Sequence, residues 1–282
     1  MRTFKITSFL LFVVLLAACM ENPKTIQNKD ELTDKNEIKR QLNVDSIQCY
    51  KDSFIHQVSI QSVTTFDTLL NKHFDYQAAH LVPIEKSMVD AGLVDVLDVL
   101  PTVKIDLRYA TTDNFVGEVL YPSVTRCFLR IETIIQLLKA YKYLHQLEPQ
   151  YTFIIFDGGR PQSVQYKMYE IAKFRGQAKY VASPERGSLH NFGAAIDLSL
   201  YDIVQQKEVD MGTIYDFFGP EAQPRYHKLM LEQGKLTQNQ VNNRDLLKKV
   251  MKEGGFHAIQ TEWWHFESYD KNFIRASFSM IK

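Results

Sequence analysis

Two short stretches of the chain contain residue types that bind metal ions and transfer protons. In the first, His190 is followed seven positions later by Asp197, and in the second, Glu262 stands three positions before His265 among tryptophans. Two histidines and an aspartate make a three-ligand zinc site that keeps a fourth position for water. The additional glutamate is the base that a metal-dependent hydrolase needs. These residue types predict metal-assisted hydrolysis.

The spacing of the first pair requires a turn in the chain. In one uninterrupted strand, His190 and Asp197 would lie on opposite faces and more than ~20 Å apart, too far to share an ion. Asn191 and Gly193 permit a turn between them. The apolar run 194–196 then predicts a short buried strand with Asp197 at its end. A buried aspartate is costly without a cation, and a metal ion is the simplest partner.

The second pair also has an ordinary structural interpretation. A histidine on an aromatic strand is often a satisfied core residue, and Glu262 would then only pair with His265. Together with His190 and Asp197, however, the four residues favour a metal site over packing alone. His257 is a competing ligand, but the two glycines before it predict a loop, so His265 is preferred.

An arginine stands where a predicted strand turns sharply into a helix. The strand covers residues 151–156, and Asp157-Gly158-Gly159-Arg160-Pro161 forms the corner. Proline in the first helical turn is typical of such a junction. Arg160 has two interpretations: a surface side chain paired with Asp157, or a cation that stabilises the oxyanion formed when water adds to a carbonyl. The metal motif favours the second.

The remaining pattern predicts an α+β domain with a small, mainly antiparallel sheet that carries the ligands and has helices on its flank. Alternating residues predict a half-buried strand over 103–109, and helical periodicity predicts helices over 128–147 and 243–253. Phe256 and the block 262–267 are expected to form a last strand before a short tail. His145, near a helix end, is expected to cap carbonyls or face water.

The N-terminus has the features of an export signal. Arg2 and Lys5 precede an apolar run at 9–16, which is shorter than the ~20 residues that span a bilayer. Leu16-Ala17-Ala18-Cys19 resembles the bacterial lipobox, in which the cysteine is lipidated. The alternative is an ordinary signal peptide with an incidental cysteine. We therefore expect an exported, membrane-anchored lipoprotein, periplasmic or on the cell surface.

Composition divides the chain into four parts. Residues 1–18 are the predicted signal peptide, 19–44 a polar tether, 45–92 an N-terminal segment without an assigned role, and 93–282 the catalytic domain. With 45% hydrophobic residues the chain can form one sizeable core, and its net charge of +0 gives no electrostatic case for nucleic acid. Whether Cys49 pairs with Cys127 is left open.

The motifs together resemble the zinc D-alanyl-D-alanine dipeptidase family, within the wider zinc peptidases that include D,D-carboxypeptidases and the Hedgehog signalling domain. The resemblance covers about 93–266. Its motifs are Ser188-x-His190-x-x-Gly193-x-Ala195-x-Asp197, Glu262-Trp263-Trp264-His265, Asp106-Leu107-Arg108-Tyr109-Ala110-Thr111, Asp157-Gly158-x-Arg160-Pro161 and Met211-Gly212-Thr213-x-Tyr215-Asp216. It implies an α+β fold of the same type and hydrolysis of D-Ala-D-Ala with one Zn²⁺ per chain.

The resemblance also implies roles for individual residues. Zinc would be bound by the three residues His190, Asp197 and His265, with Glu262 as general base and acid and Arg160 at the tetrahedral intermediate.

Three further residues would bind the substrate: Ser188 at its carboxylate, and Tyr109 and Asp216 near its amino group. Spacing alone favours a helix cap for Asp216. The chain has Gly159 where tyrosine is more usual in the family, which predicts a wider pocket.

Other functions fit the same residues. A zinc D,D-carboxypeptidase would trim the terminal D-Ala of peptidoglycan stem peptides. A non-catalytic lipoprotein would keep the zinc for structure and binding, although Glu262 and Arg160 argue against it. A surface interaction protein would act through residues 45–90 and use the zinc domain as a scaffold.

Overall fold

A computed structural model describes residues 69, 74–76 and 80–282, all of which belong to one compact unit. The predicted signal peptide, Cys19, the tether, Cys49 and most of the segment 45–92 lie outside these residues, so those expectations stay predictions. Within the described residues, no helix combines the length and the hydrophobicity needed to cross a membrane.

The described residues form six α-helices and eight β-strands. The helices are α1 (Pro83–Asp90), α2 (Ile131–Leu147), α3 (Gln162–Phe174), α4 (His227–Glu232), α5 (Gln238–Gly254) and α6 (Lys271–Ser277). The strands are β1 (Val94–Asp95), β2 (Lys104–Ile105), β3 (Phe128–Leu129), β4 (Tyr151–Asp157), β5 (Ala195–Asp202), β6 (Lys207–Glu208), β7 (Phe256–Ala258) and β8 (His265–Ser268).

One six-stranded sheet forms the centre of the fold. Its strand order is β2-β4-β5-β8-β7, with β6 paired to β5. Only the β2–β4 pair is parallel, and the other pairs are antiparallel. A separate antiparallel pair joins β1 to β3. The predicted α+β class with a mainly antiparallel sheet is confirmed.

The two central strands are buried along nearly their whole length. In β4 and β5 all but one residue of each strand are buried, including Phe153, Phe156, Leu198 and Leu200. Apolar runs of this kind are typical of strands covered on both faces. Helix α2 packs against this core through residues such as Ile134. The rigid centre of the sheet is therefore where functional side chains can be held with precision.

The strand predicted over 103–109 is shorter than expected. Only Lys104–Ile105 pair with β4, and Arg108–Ala110 form a 3₁₀ turn. The turn forms because the carbonyl of Tyr109 accepts hydrogen bonds from the backbone N–H groups of Leu120 and Tyr121, both at 2.8 Å. This tertiary contact redirects the chain and buries the Tyr109 ring.

The boundaries of the two long helices also differ from the prediction. Helix α2 begins at Ile131, because the two residues expected in its first turn pair with β1 instead. Helix α5 begins at Gln238, five residues early, where Thr237 provides a capping box. It ends as predicted, with Gly255 in the left-handed conformation (φ 96°).

The ends of the described unit pack together. Met88 of α1 lies in one apolar cluster with Leu93, Phe128 and Ile281 near the C-terminus. The last residues, predicted as a short tail, contain helix α6, whose cap Asp270 accepts backbone hydrogen bonds at 2.8 and 3.2 Å. The domain boundary at residue 93 stays a prediction.

Candidate metal centre

Three buried side chains bring their ligand atoms together above the centre of the sheet. His190 Nε2 lies 3.1 Å from His265 Nδ1, and His265 Nδ1 lies 2.9 Å from Asp197 Oδ1. The third side of this triangle, from His190 Nε2 to Asp197 Oδ1, measures 3.4 Å. The structure therefore brings together the three residues that were predicted as metal ligands.

The triangle fits a zinc ion. Ligands about 2.0–2.1 Å from a tetrahedral ion are ~3.3 Å apart, close to the distances between these three atoms. Two imidazoles and one carboxylate are also a donor set that zinc accepts, and three protein ligands keep one position open. The arrangement suits a catalytic rather than a closed structural site.

Sheet register places two of the ligands. Asp197 on β5 and His265 on β8 are directly opposite each other, so their side chains stand on the same face. On the other side of β5, Asp197 is opposite Asp157 of β4, next to a shift in register. The three acidic and basic residues thus form a row across three neighbouring strands.

A tight turn places the third ligand. Residues Leu189–Phe192 form a 3₁₀ turn, and Gly193 follows in the left-handed conformation (φ 67°). The turn folds His190 back over Asp197, as the sequence predicted. Strand β5 runs from Ala195 to Asp202, so Asp197 lies near its start.

Hydrogen bonds outside the triangle orient each ligand. His190 Nδ1 lies 2.8 Å from the carbonyl of Gly158, which leaves Nε2 as the ligand atom. The hydroxyl of Tyr215 donates to Asp197 Oδ2 at 2.9 Å, and His265 Nε2 lies 3.5 Å from Glu267 Oε1. Such outer contacts fix ligand orientation and tune affinity.

The two charges of the Asp197–His265 pair stabilise each other. Burial opposes ionisation of Asp197, but the adjacent His190 and His265 hold its pKa well below the usual range. Burial likewise opposes protonation of His265, yet hydrogen bonds to Asp197 and Glu267 raise its pKa to about 10. Without a metal ion, a proton therefore stands in for the cation between these side chains.

Glu262 lines the same cavity as the three ligands. The block 262–267 was predicted as one strand, but β8 begins only at His265, and Glu262 lies in the preceding loop. The indole N–H of Trp263 holds that loop by donating to Thr213 Oγ1 at 2.8 Å. Burial raises the pKa of Glu262, while the neighbouring His265 opposes this.

Arg160 fits both of its predicted interpretations. Its Nε donates to Asp157 Oδ2 at 3.0 Å and its Nη1 to Gln165 Oε1 at 2.8 Å, so the expected ion pair is present. Arg160 is nevertheless buried, not on the surface, and it lines the cavity. Burial alone would lower its pKa, but Asp157 raises it, so the guanidinium stays charged.

The ligands open into a cavity of about 400 Å³. On one side, Tyr109 donates to Asp216 Oδ2 at 3.0 Å, and Phe115 packs edge-on against Tyr109. Beyond them, the rings of Tyr180 and Phe218 stack with centroids 4.7 Å apart. All five residues line the cavity. An acidic group thus lies beside an aromatic wall.

Asp216 does not cap a helix, so the prediction from its spacing alone is wrong. Its backbone has a left-handed conformation (φ 60°), and no described helix begins at the next residue. Burial, followed by the charge of Asp197, raises its pKa. The carboxylate faces the cavity because the adjacent Tyr215 is held in the core by Asp197.

Ser188 begins the turn that carries His190. Its Oγ accepts a hydrogen bond from the His190 N–H at 3.4 Å, and it lines the cavity. Of the other candidates, His257 is exposed on β7 and is not part of the cluster. His145 does not cap its helix through a described contact; its ring packs on Tyr141 at 4.4 Å.

The pocket is not widened at Gly159. This residue does not line the cavity, and a Cβ there would lie 2.6 Å from Leu93 Cδ2 and 2.7 Å from the carbonyl oxygen of Phe128. Cys127 lies in the same region as a buried thiol. The glycine therefore accommodates packing behind the site and leaves the cavity unchanged.

Several residues around the ligands had no role predicted from the sequence. Tyr215 and Glu267 contact Asp197 and His265, and Tyr121 donates to Asp157 at 2.9 Å. Tyr215 and Glu267 each lie within two positions of a residue already singled out, and that proximity was the available signal. Their roles depend on which residues the fold brings opposite, and spacing along the chain does not show this.

An α+β domain that holds two histidines and an aspartate beside a partly buried glutamate has the site of a metal-dependent hydrolase. Residues 89–282 match the family described as D-ala-D-ala dipeptidase, and this chain belongs to that family. The family resemblance and the assignment as an enzyme are thereby confirmed.

Curated relatives agree with the family match. A D-alanyl-D-alanine dipeptidase of Escherichia coli K12 is 34% identical over 175 residues, which cover 62% of this chain and 83% of that protein. Dipeptidases of the same name from Enterococcus faecium and Enterococcus faecalis are 29% and 26% identical, and each alignment covers 98% of the relative. These alignments cover 67% and 68% of this chain, respectively.

Proposed function

We propose that this protein hydrolyses the dipeptide D-Ala-D-Ala to two D-alanines with one zinc ion per chain. The observation that carries the proposal is the triangle of His190 Nε2, Asp197 Oδ1 and His265 Nδ1, with sides of 2.9–3.4 Å, in a cavity that Glu262 and Arg160 also line. The family match supports the choice of substrate.

Glu262 is the proposed general base and acid. A zinc ion held by the three ligands would polarise the scissile carbonyl and lower the pKa of a water molecule. Glu262 accepts the proton of the attacking water and then passes it to the leaving amine. Its burial raises its pKa above the usual carboxyl range, which suits a group that must both take and return a proton.

Arg160 is the proposed stabiliser of the oxyanion. Three of its five N–H donors are used by Asp157 and Gln165, which hold the guanidinium in place and leave further donors for a substrate oxygen. A fixed cation of this kind stabilises negative charge that develops in the transition state without having to reorganise.

The two ends of a dipeptide carry opposite charges, and the proposal assigns each a partner. Asp216, which accepts a hydrogen bond from the Tyr109 hydroxyl, is the proposed partner of the substrate ammonium. Ser188 is placed at the substrate carboxylate. A stem peptide would present an uncharged amide to Asp216, leaving a poorly solvated carboxylate without a cation. This favours the dipeptide over longer peptides.

The test is D-alanine release from D-Ala-D-Ala, with a pentapeptide that ends in D-Ala-D-Ala in parallel. We expect zinc-loaded protein to cleave the dipeptide and leave the pentapeptide intact. Cleavage of both substrates would assign the protein as a D,D-carboxypeptidase. Zinc binding without cleavage of either would favour the non-catalytic binding lipoprotein.

We also propose that the enzyme is exported and anchored to a membrane through a lipid on Cys19. The support is the charged and apolar leader followed by Leu16-Ala17-Ala18-Cys19. An enzyme at this location would act on D-Ala-D-Ala outside the cytoplasm, close to the cell wall. The polar stretch 19–44 would separate the anchor from the enzyme.

A further inference from the structure

Among the residues that the structure describes, Arg275 lies at the cavity without a carboxylate partner. It stands on α6, outside every motif used above, and it lines the cavity. Its Nη2 donates to the carbonyl of Gly187 at 3.2 Å, and its buried Nε has no hydrogen-bond partner in the part of the chain that the structure describes. Buried polar groups almost always have partners, so this one requires an explanation.

The other cations that line the cavity differ from Arg275. Arg160 is paired with Asp157, and Lys271, one helical turn before Arg275, is 2.9 Å from Glu267. Arg186 also has no ion pair within the described ranges, but it is exposed to solvent, whereas Arg275 is half-buried. Of the cations that line the cavity, Arg275 is therefore the one that is half-buried and has no acidic partner among the described residues.

The position of Arg275 relates it to one end of the substrate. Gly187, which it contacts, directly precedes Ser188 in the segment that carries His190. Asp216 belongs to a different chain of hydrogen bonds. This chain runs from Asp197 through the hydroxyls of Tyr215 and Tyr109 to the Asp216 carboxylate. The cation and the acid thus line one cavity and are held by separate sets of hydrogen bonds.

The chemistry of the guanidinium selects the group that it binds. A guanidinium presents its N–H donors in a planar fork that matches a carboxylate. A free dipeptide offers one carboxylate, at its C-terminus, and one ammonium. With Asp216 at the ammonium, the carboxylate is the group that remains for Arg275.

We propose that Arg275, together with Ser188, binds the C-terminal carboxylate of the substrate and makes the enzyme selective for peptides with a free C-terminus. This inference rests on the proposed function and adds a specificity residue to it. The hydrogen bond from Arg275 to the carbonyl of Gly187 holds the guanidinium beside the residue that precedes Ser188.

The experiment compares D-Ala-D-Ala with D-alanyl-D-alaninamide, which lacks the carboxylate charge. We expect Arg275→Gln to raise KM for the free acid about 10- to 100-fold with kcat changed only a few-fold, because a charge-assisted hydrogen bond is lost. KM for the amide should stay unchanged, so the ratio of kcat/KM for the acid to kcat/KM for the amide should fall by the same factor of about 10 to 100. Arg275→Lys, which keeps the charge but not the fork, should fall between the two.

Lys86→Gln is the matched control, because it removes one positive charge from an exposed side chain of α1, which does not line the cavity. It should retain the wild-type preference. A second readout is dipeptide binding, measured by calorimetry in a Glu262→Gln background, where Arg275→Gln should weaken binding by a similar factor.

The outcomes separate the two proposals. If wild-type protein cleaves D-Ala-D-Ala and folded, zinc-loaded Arg275→Gln keeps the wild-type acid-to-amide ratio, the role of Arg275 is wrong and the function stands. If Arg275→Gln does not fold, an unchanged ratio in Arg275→Lys overturns the inference equally. If the wild type cleaves neither substrate, the proposed function itself fails.

Discussion

At the scale of single residues, the site depends on a few buried groups whose charges are set by their neighbours. Asp197 and His265 share one hydrogen bond of 2.9 Å, and Tyr215 and Glu267 hold their outer atoms. Because these groups are buried, removing one partner leaves another unsatisfied. Substitutions that keep the shape of the side chain and change one atom or group therefore test each role with the least disturbance of its neighbours.

The role of Glu262 is tested by Glu262→Gln. The amide has the same shape but cannot accept a proton, so we expect zinc binding to be retained while kcat falls by about 10²–10⁴-fold. Zinc content by elemental analysis and D-alanine release together check this. Normal turnover by the folded variant would show that Glu262 is not the base.

The effect of pH on zinc binding follows from His265. Its pKa is raised to about 10, so zinc must displace a proton from the imidazole at neutral pH. Affinity should therefore increase from pH 6.5 toward pH 10. In the metal-free protein the raised pKa of His265 contributes stability that is fully present below its unfolded pKa of about 6.5 and is lost as pH rises through about 10.

Calorimetry in buffers with different ionisation enthalpies measures the protons released when zinc binds. Because the pKa of His265 is about 10, release of about one proton per zinc from this residue is expected at pH 7.5. Zinc affinity that does not change between pH 6.5 and 8.5 would contradict the protonated state assigned to His265.

Tyr215→Phe tests the outer contacts of the metal site. The change removes only the hydroxyl that donates to Asp197 Oδ2, and loss of such a contact typically lowers metal affinity about 10- to 100-fold. The matched control is Tyr166→Phe on α3, where the side chain is partly exposed. Competition with a chromogenic chelator gives both affinities, and equal values in the two variants would remove Tyr215 from the site.

At the scale of secondary-structure elements, the metal site is formed where a turn is packed onto the middle of a sheet. Gly193 ends the turn with φ 67°, and a Cβ there would lie 2.8 Å from Leu93 Cδ2 and 3.3 Å from the backbone nitrogen of Arg130. The glycine thus satisfies both a backbone requirement and a packing requirement. It couples the position of His190 to the rest of the fold.

Gly193→Ala should be destabilising for both reasons, whereas Gly234→Ala at a similar φ of 66° meets no atom within 4 Å. We expect Gly234→Ala to cost about 1–2 kcal/mol of unfolding free energy through backbone strain alone. Gly193→Ala should cost more and also weaken zinc binding. Denaturant unfolding and zinc titration check this, and equal losses of stability in the two variants would remove the packing argument.

Much of this element arrangement could be predicted from the sequence, because short apolar runs and turn residues are local signals. The turn before Asp197 and the end of α5 at Gly254 were predicted correctly. The strand over 103–109 and the strand that was to contain Glu262 were not. In both cases, contacts with distant residues decide the conformation, and these leave no periodic pattern in the chain.

The same distinction holds for the site. The ligand set could be predicted from residue types and spacing, because a metal needs a small number of particular donors. Tyr215, Glu267 and Arg275 could not be given their contacts, because those depend on strand register and on the packing of distant elements such as α6. The metal ligands can be recognised from residue type and local spacing, whereas the residues that contact them can be recognised only from the three-dimensional arrangement.

At the scale of the whole molecule, the family match over residues 89–282 coincides with the part that carries the site. Every proposed ligand and substrate contact lies within it. The segment 1–44, which precedes it, carries the proposed export and anchoring roles, which are separable from catalysis. Changes in that segment should therefore alter location and leave turnover intact.

Cys19→Ser tests the anchor. Because the lipid would be attached to the thiol, this variant should lose incorporation of labelled palmitate and leave the membrane fraction of a bacterial expression host. The purified variant should still release D-alanine at the wild-type rate. A Cys19→Ser protein that remains in the membrane fraction and still incorporates palmitate would overturn the proposed anchor.

The central claim is that one zinc ion on His190, Asp197 and His265 enables hydrolysis of D-Ala-D-Ala. Metal-stripped protein, titrated with zinc while D-alanine release is followed, tests it most directly. The account predicts no release without metal, a linear rise with added zinc and a plateau at one equivalent per chain. Full activity in the stripped protein, or zinc binding at one equivalent without D-alanine release, would contradict it.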